Sequence, residues 1–326
     1  MTEKNTQKRW TIIILVLVVV TSLFFAYTGV YYHAEPEALD ALKTYDGVEV
    51  TETDFGWFFD GQSEDDLLVF LPGGKVEETA YAPLLRLLAE EGMDVALVKV
   101  PLRLAVLSPN KAEGVLDQYE YANEYIGGHS LGGAIAANYA SKHGDGLAGL
   151  ILLAAYPTKT LDDDLLVLSI YGSEDQVVDM EKVHAGTEFA SQYYEYAIDG
   201  GNHAQFGDYG EQKGDGEALI SDDKQQSMTA EYILSGLNSD DIKNTVEGNF
   251  RTYREKNDGT WTCEGYNYRY RLEITGRIPN AAKDSTFVYL SNLEEISFDQ
   301  AWKAAGLSSD SNDYFSPEDA VLVEMY

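Results

Sequence analysis

The sequence predicts an α/β architecture, a mostly parallel sheet with helices on both faces, preceded by an apolar N-terminal helix and followed by a small α+β unit. Three observations predict it. Short runs rich in Val, Ile and Leu alternate with stretches of helical period, the pattern of buried parallel strands joined by helical crossovers. Residues 10–32 carry no charge. After Asn238-Ser239-Asp240-Asp241 the alternation gives way to Tyr-rich segments of period two, which read as antiparallel strands.

Taken in order, residues 1–9 form a basic N-terminus with Lys4, Lys8 and Arg9 against Glu3. Residues 10–32 follow as a spanning helix of about 34 Å, enough for a hydrocarbon core of about 30 Å. Trp10, Tyr27, Tyr31 and Tyr32 stand at its ends, where amphipathic rings favour the membrane interface. A cleaved signal peptide, which would release the chain, has a shorter apolar region and an A-x-A-like site; Ala26-Tyr27-Thr28 fits poorly. The basic flank places the N-terminus in the cytoplasm and the rest outside a cell membrane. Residues 33–47 are expected as a linker, 48–240 as the main domain and 241–326 as a second domain of unknown role.

Within the main domain, 48–53 alternates apolar and polar residues and 55–61 is aromatic, which suggests an antiparallel edge hairpin. Strands are expected at 67–71, 95–100, 125–128, 147–154, 166–171 and 193–198, and helices at 78–91, 131–143, 179–192 and 224–237. In the second domain, 260–263, 267–275, 285–290 and 320–325 read as strands and 298–305 as a helix capped by Ser297. Tyr266, Tyr268 and Tyr270 alternate there with polar residues, the pattern of one packed sheet face and, less commonly, of an aromatic binding face.

Charge narrows the function classes. Lys and Arg total 23 against 55 Asp and Glu, a net charge of −32, so nucleic acid is excluded as a partner because phosphate recognition needs clustered cations. The single cysteine, Cys263, rules out an internal disulfide framework and thiolate zinc clusters. Neither H-E-x-x-H, an EF-hand loop nor a phosphate-binding G-x-x-x-x-G-K-[ST] is present, Gly73-Gly74-Lys75 lacking that spacing. No metal or cofactor is expected.

The chemistry lies at Gly128-His129-Ser130-Leu131-Gly132. This is a G-x-S-x-G element between a strand end and a small-residue helix start, the setting of a serine on a strained strand-to-helix turn. A serine hydroxyl is a weak nucleophile and needs a base that a carboxylate orients. Asp175 follows the 166–171 strand in Gly172-Ser173-Glu174-Asp175, and His203 follows the 193–198 strand in Gly200-Gly201-Asn202-His203. The chain order Ser130, Asp175, His203 is that of a triad assembled on such a sheet. Glu174 and Asp179 rival Asp175, while His33, His143 and His184 lie in poorer contexts and His129 reads as part of the turn. For the oxyanion, one donor is expected in the N–H of Leu131, which also begins a helix, and the second in that of Gly74 or Lys75 after the 67–71 strand.

With Leu71-Pro72-Gly73-Gly74-Lys75, the serine turn, Gly172-Ser173-Glu174-Asp175 and Gly200-Gly201-Asn202-His203, the chain resembles the α/β-hydrolase superfamily over about 48–237. Within it, the chain is similar to compact bacterial enzymes of the dienelactone-hydrolase and esterase type, with Pro72 where a histidine is more usual. The ten or so residues between 154 and 166 leave no room for an inserted lid. The resemblance implies a Ser-His-Asp hydrolase, the reading the residues already support: a membrane-anchored serine esterase acting on a small-molecule or lipid-like acyl substrate. A thioesterase or peptidase would use the same triad, and a non-catalytic surface-binding module would use none of it.

Overall fold

The computed structural model describes the backbone of residues 3–237 except 46 and 64, side chains from Arg9 to Leu237, and the backbone of strands lying between 245 and 325. Helix α1 spans Glu3–Thr28, and its Arg9–Thr28 portion, with mean hydropathy 2.5, is long and apolar enough to cross a membrane. It ends four residues earlier than the apolar run predicts, because Tyr32 leaves the helical path to bridge Val76 in parallel.

The residues expected as a linker are instead built into the domain. Helix α2 (Pro36–Asp40) has Pro at its start, where a missing N–H costs nothing, and Ala38 and Ala41 are buried. Beyond it, the buried Arg86 donates to the carbonyls of Ala41, Lys43 and Tyr45 at 3.1, 2.8 and 2.6 Å, and to Glu90 at 2.9 Å. Its guanidinium also lies 3.3 Å over the Tyr45 ring. Arg86→Met keeps the apolar stem and strands three carbonyls, so it should cost about 3 kcal/mol in urea unfolding. A loss under about 1 kcal/mol would show that water replaces the arginine freely.

The main sheet has eight strands in the order β1-β2-β4-β3-β5-β6-β7-β8. They are β1 (Glu49–Glu52), β2 (Gly56–Asp60), β3 (Asp66–Leu71), β4 (Asp94–Val98), β5 (Asn123–His129), β6 (Gly149–Leu153), β7 (Leu166–Gly172) and β8 (Gln192–Ile198). The β1-β2 hairpin is antiparallel and joins β4 antiparallel at the edge; every other pairing is parallel. Alternate residues of β3 feed two cores: Leu68 and Phe70 pack on the face of α3 (Ala82–Glu90) and α7 (Asp222–Leu237), Leu67, Val69 and Leu71 on that of α5 (Leu131–His143). That two-faced burial explains the near-continuous apolar strand sequence.

Two short helices complete the described part of this unit, α4 (Glu113–Leu116) and α6 (Met180–His184). The helix expected over 179–192 is only α6 followed by a 3-10 turn at Ala185–Glu188. A Cβ on Gly186 would stand 2.2 Å from the Tyr193 ring, so the chain here follows the tyrosine that β8 projects beneath it. Beyond 244, β9 (Thr245–Glu255), β10 (Trp261–Glu273), β11 (Gly276–Asn280), β12 (Ser285–Ser291) and β13 (Ala320–Met325) pair antiparallel in the order β10-β9-β13-β12-β11. β9 and β11 were not expected, and β10 unites two expected strands. The 298–305 helix lies outside the described residues, as do the side chains of Tyr266, Tyr268 and Tyr270.

Candidate active site

Four loops at the carboxyl ends of parallel strands carry the expected groups: Gly74 after β3, Ser130 after β5, Asp175 after β7 and His203 after β8. Ser130 occupies φ 51°, ψ −117°, a strained conformation for a residue with a side chain. The turn needs its flanking glycines for space. A Cβ on Gly132 would lie 2.2 Å from the Leu71 carbonyl oxygen, and one on Gly128 would lie 2.6 Å from the same atom.

The Asp175 carboxylate is fully satisfied. Its Oδ1 accepts the Val177 and Val178 amides at 2.7 and 2.8 Å, and its Oδ2 accepts His203 Nδ1–H at 2.8 Å. Both side chains are almost wholly buried. With its proton on Nδ1, His203 presents an acceptor lone pair at Nε2, which is buried and has no hydrogen-bond partner. Asp175 and His203 are thus brought together, whereas the Ser130 hydroxyl does not hydrogen-bond His203 here. Such contacts often close only when substrate is bound. Of the rivals, Glu174 meets Ser173 and Asp179 pairs with Lys182; neither reaches His203.

The two loops that bring Asp175 and His203 together are joined by backbone bonds, Ser173 N–H to Ile198 and Glu174 N–H to Gly201. Gln225 on α7 then grips Asn202 twice, accepting its N–H at 2.9 Å and donating to its carbonyl at 2.8 Å. Asp215 accepts the Ala204 amide at 2.8 Å. These second supports, far apart in sequence, carried no local signal.

On the oxyanion side the structure separates the two glycine-turn candidates. The Lys75 amide donates to the Arg103 carbonyl at 2.7 Å, so it is already engaged and the expectation that it could serve is corrected. Gly74 lies against Leu131, where a Cβ would sit 2.9 Å from the leucine side chain, and the Gly74 and Leu131 amides fall at the meeting of β3 and α5. Gly73 N–H donates to Tyr81 Oη at 3.0 Å, and Tyr81 Oη in turn lies 2.8 Å from His129 Nδ1. Tyr81, absent from the sequence reading, therefore ties the glycine turn to the residue before Ser130. Its only signal is an aromatic near the start of the helix that follows the turn.

His129 is buried, with its ring 4.5 Å from that of His203. Burial first, then the charge His203 can acquire, holds its pKa well below the usual histidine range, so it stays neutral as an acceptor for Tyr81. Of the remaining histidines, His33 meets Glu77, His184 meets Glu195 and His143 its own helix.

Near the site, Asp208 is buried and its carboxyl is pushed up to about 6 by burial and then by Asp222, Glu35, Glu37 and Asp223. An unfolded aspartate titrates near 3.9, so between about pH 4 and 6 the native state binds more protons and stability falls as pH rises. Asp208→Asn should therefore raise Tm at pH 8 and lose that advantage below pH 4. An equal Tm difference at every pH would rule out the charge as its source.

A sequence model described as the Alpha/beta hydrolase family matches residues 67–227. No curated protein matches the chain. Among solved structures it is similar to a predicted CIB-like hydrolase from Thermoplasma acidophilum, at 15% identity over 57% of this chain and 99% of that one, TM-score 0.41. Est1E from Butyrivibrio proteoclasticus is 14% identical over 58% and 98%, TM-score 0.42. A membrane phospholipase A described as a bacterial virulence factor is 12% identical over 71% and 98%, TM-score 0.47. Likeness at these identities concerns the fold and leaves substrate open.

Proposed function

The chain belongs to the α/β-hydrolase superfamily through residues 67–227, and from that premise we propose that it is a membrane-anchored serine hydrolase acting on carboxylic esters. The observation that carries the reading is Ser130, held at φ 51° on the turn between β5 and α5. A binding module has no use for such strain, whereas a nucleophile must stand clear of the backbone. Ser130 Oγ attacks the acyl carbon and its proton passes to His203 Nε2, while Asp175 holds the imidazole and steadies its charge. The Leu131 and Gly74 amides take the oxyanion, Leu131 at the positive end of a 13-residue helix. Collapse expels the alcohol with the proton from His203. Water then enters by the reverse sequence and releases the acid.

In this reading α1 holds the protein in a membrane, with Lys4, Lys8 and Arg9 on the cytoplasmic side and the catalytic domain outside. Detergent-purified full-length protein treated with a fluorophosphonate should carry one adduct per chain, on Ser130 by peptide mass spectrometry. It should also turn over nitrophenyl acyl esters. Folded protein that takes no label, or takes it elsewhere, would defeat the proposal.

A further inference from the structure

The residues that leave α1 do not form a leash. Tyr32 N–H donates to the Lys75 carbonyl at 2.8 Å and Glu77 N–H to the Tyr32 carbonyl at 2.9 Å. Ala34 N–H reaches the Glu77 carboxylate at 3.2 Å. On the other side, Glu35 N–H donates to the Asp208 carbonyl at 2.9 Å, and Lys213 N–H to Tyr32 Oη at 3.2 Å. The Tyr32 ring also packs on Tyr209. Two cations complete the clasp: Lys75 Nζ lies 4.1 Å over the Tyr27 ring and the Arg103 guanidinium 3.5 Å over that of Tyr31. The stretch 32–35 is therefore stitched both to the glycine turn after β3 and to the loop that follows His203.

Distance then follows from chain geometry. Four residue steps separate Thr28, the end of α1, from Tyr32, and at about 3.6 Å each they reach at most about 14 Å. Tyr32, and with it the glycine turn after β3 to which it is bonded, cannot stand farther than that from the end of the spanning helix. The carboxyl edge of the sheet, where all four catalytic loops lie, exposes large apolar side chains: Val106 and Leu107 after β4, Val177 two residues past Asp175, and Leu219 in the loop after His203, each between 41% and 74% exposed. Exposed singly such groups are ordinary on a protein surface, but gathered on the edge that carries the site they suit a rim resting on acyl chains.

We propose that this clasp seats the mouth of the active site on the bilayer that α1 crosses, so that the substrate is an ester of a lipid resident in that membrane. This rests on the serine hydrolase reading above and adds to it the source of the substrate. The partner at the apolar rim is the lipid surface itself. A membrane ester then meets Ser130 by lateral diffusion, with its acyl carbon near the interface.

The test uses full-length protein in phosphatidylcholine vesicles, with a twenty-residue Gly/Ser segment inserted between Gly29 and Val30. Such a segment reaches about 25 Å, leaves the 32–35 stitching in place and frees the domain from the surface. Turnover of a water-soluble short-chain nitrophenyl ester should stay within twofold. Turnover of a fluorogenic diacyl lipid carried in the same vesicles should fall at least tenfold. Independently of catalysis, a bimane label at Leu107→Cys or Leu219→Cys, in a Cys263→Ser background, should be quenched by brominated lipid, and one at Asp145→Cys on the opposite edge should not. Undiminished lipid turnover after insertion, no lipid turnover in the parent, or no quenching at either rim position would overturn the proposal. Failure of the parent to take the fluorophosphonate would instead overturn the hydrolase reading beneath it.

Discussion

Ser130→Ala should lower kcat on a nitrophenyl ester by about 10⁶-fold, the scale on which a triad nucleophile acts, equivalent to about 8 kcal/mol of barrier. Fluorophosphonate labelling should vanish with it. The fold should survive, because the variant removes one oxygen and keeps the Cβ that the turn accommodates. His203→Ala should fall to a similar floor, since the groups act as a unit, and combining the two should add little. In the proposed mechanism, the residual rate reports what the Leu131 and Gly74 amides and binding supply alone. Full labelling of Ser130→Ala would place the nucleophile elsewhere.

Asp175→Asn should cost about 10⁴-fold in kcat, for a reason legible in the hydrogen bonds. Oδ1 takes two backbone amides, so an asparagine must place its carbonyl oxygen there. Its NH₂ then faces His203 Nδ1, which must become the acceptor. The ring proton moves to Nε2, and the base loses the lone pair that should receive the Ser130 proton. Little stability should be lost, because the two amides keep their acceptor. The discriminating measurement is the imidazole tautomer by nitrogen-15 chemical shift: protonation at Nδ1 in the parent and at Nε2 in the variant. An unchanged tautomer together with an unchanged rate would remove Asp175 from the mechanism.

What could be read in advance was what is written locally. Gly128-His129-Ser130-Leu131-Gly132 names its turn because each position meets a local demand, and β3, β6 and β7 show themselves as apolar runs buried on both faces. The edge hairpin followed from alternation within ten residues. What escaped depends on contacts between distant residues. Arg86 anchors residues 41–45, Arg103 consumes the Lys75 amide and Tyr81 bridges Gly73 to His129. None of these leaves a periodic trace. The 179–192 helix was over-extended for the same reason: its composition suits a helix, but Tyr193 occupies the space beneath Gly186.

The backbone of Ser130 has a consequence for selection on this protein. A side chain at φ 51°, ψ −117° costs on the order of 1–3 kcal/mol, a penalty that Ser130→Ala retains. Ser130→Gly would relieve it, at an offset of about 0.5–1 kcal/mol from the freer unfolded chain, leaving a net gain near 1 kcal/mol and an inert protein. A screen that rewards thermal survival alone would therefore drift toward glycine at the position the proposed reaction most requires, whereas one that demands turnover would hold the serine and seek its stability in other parts of the sheet.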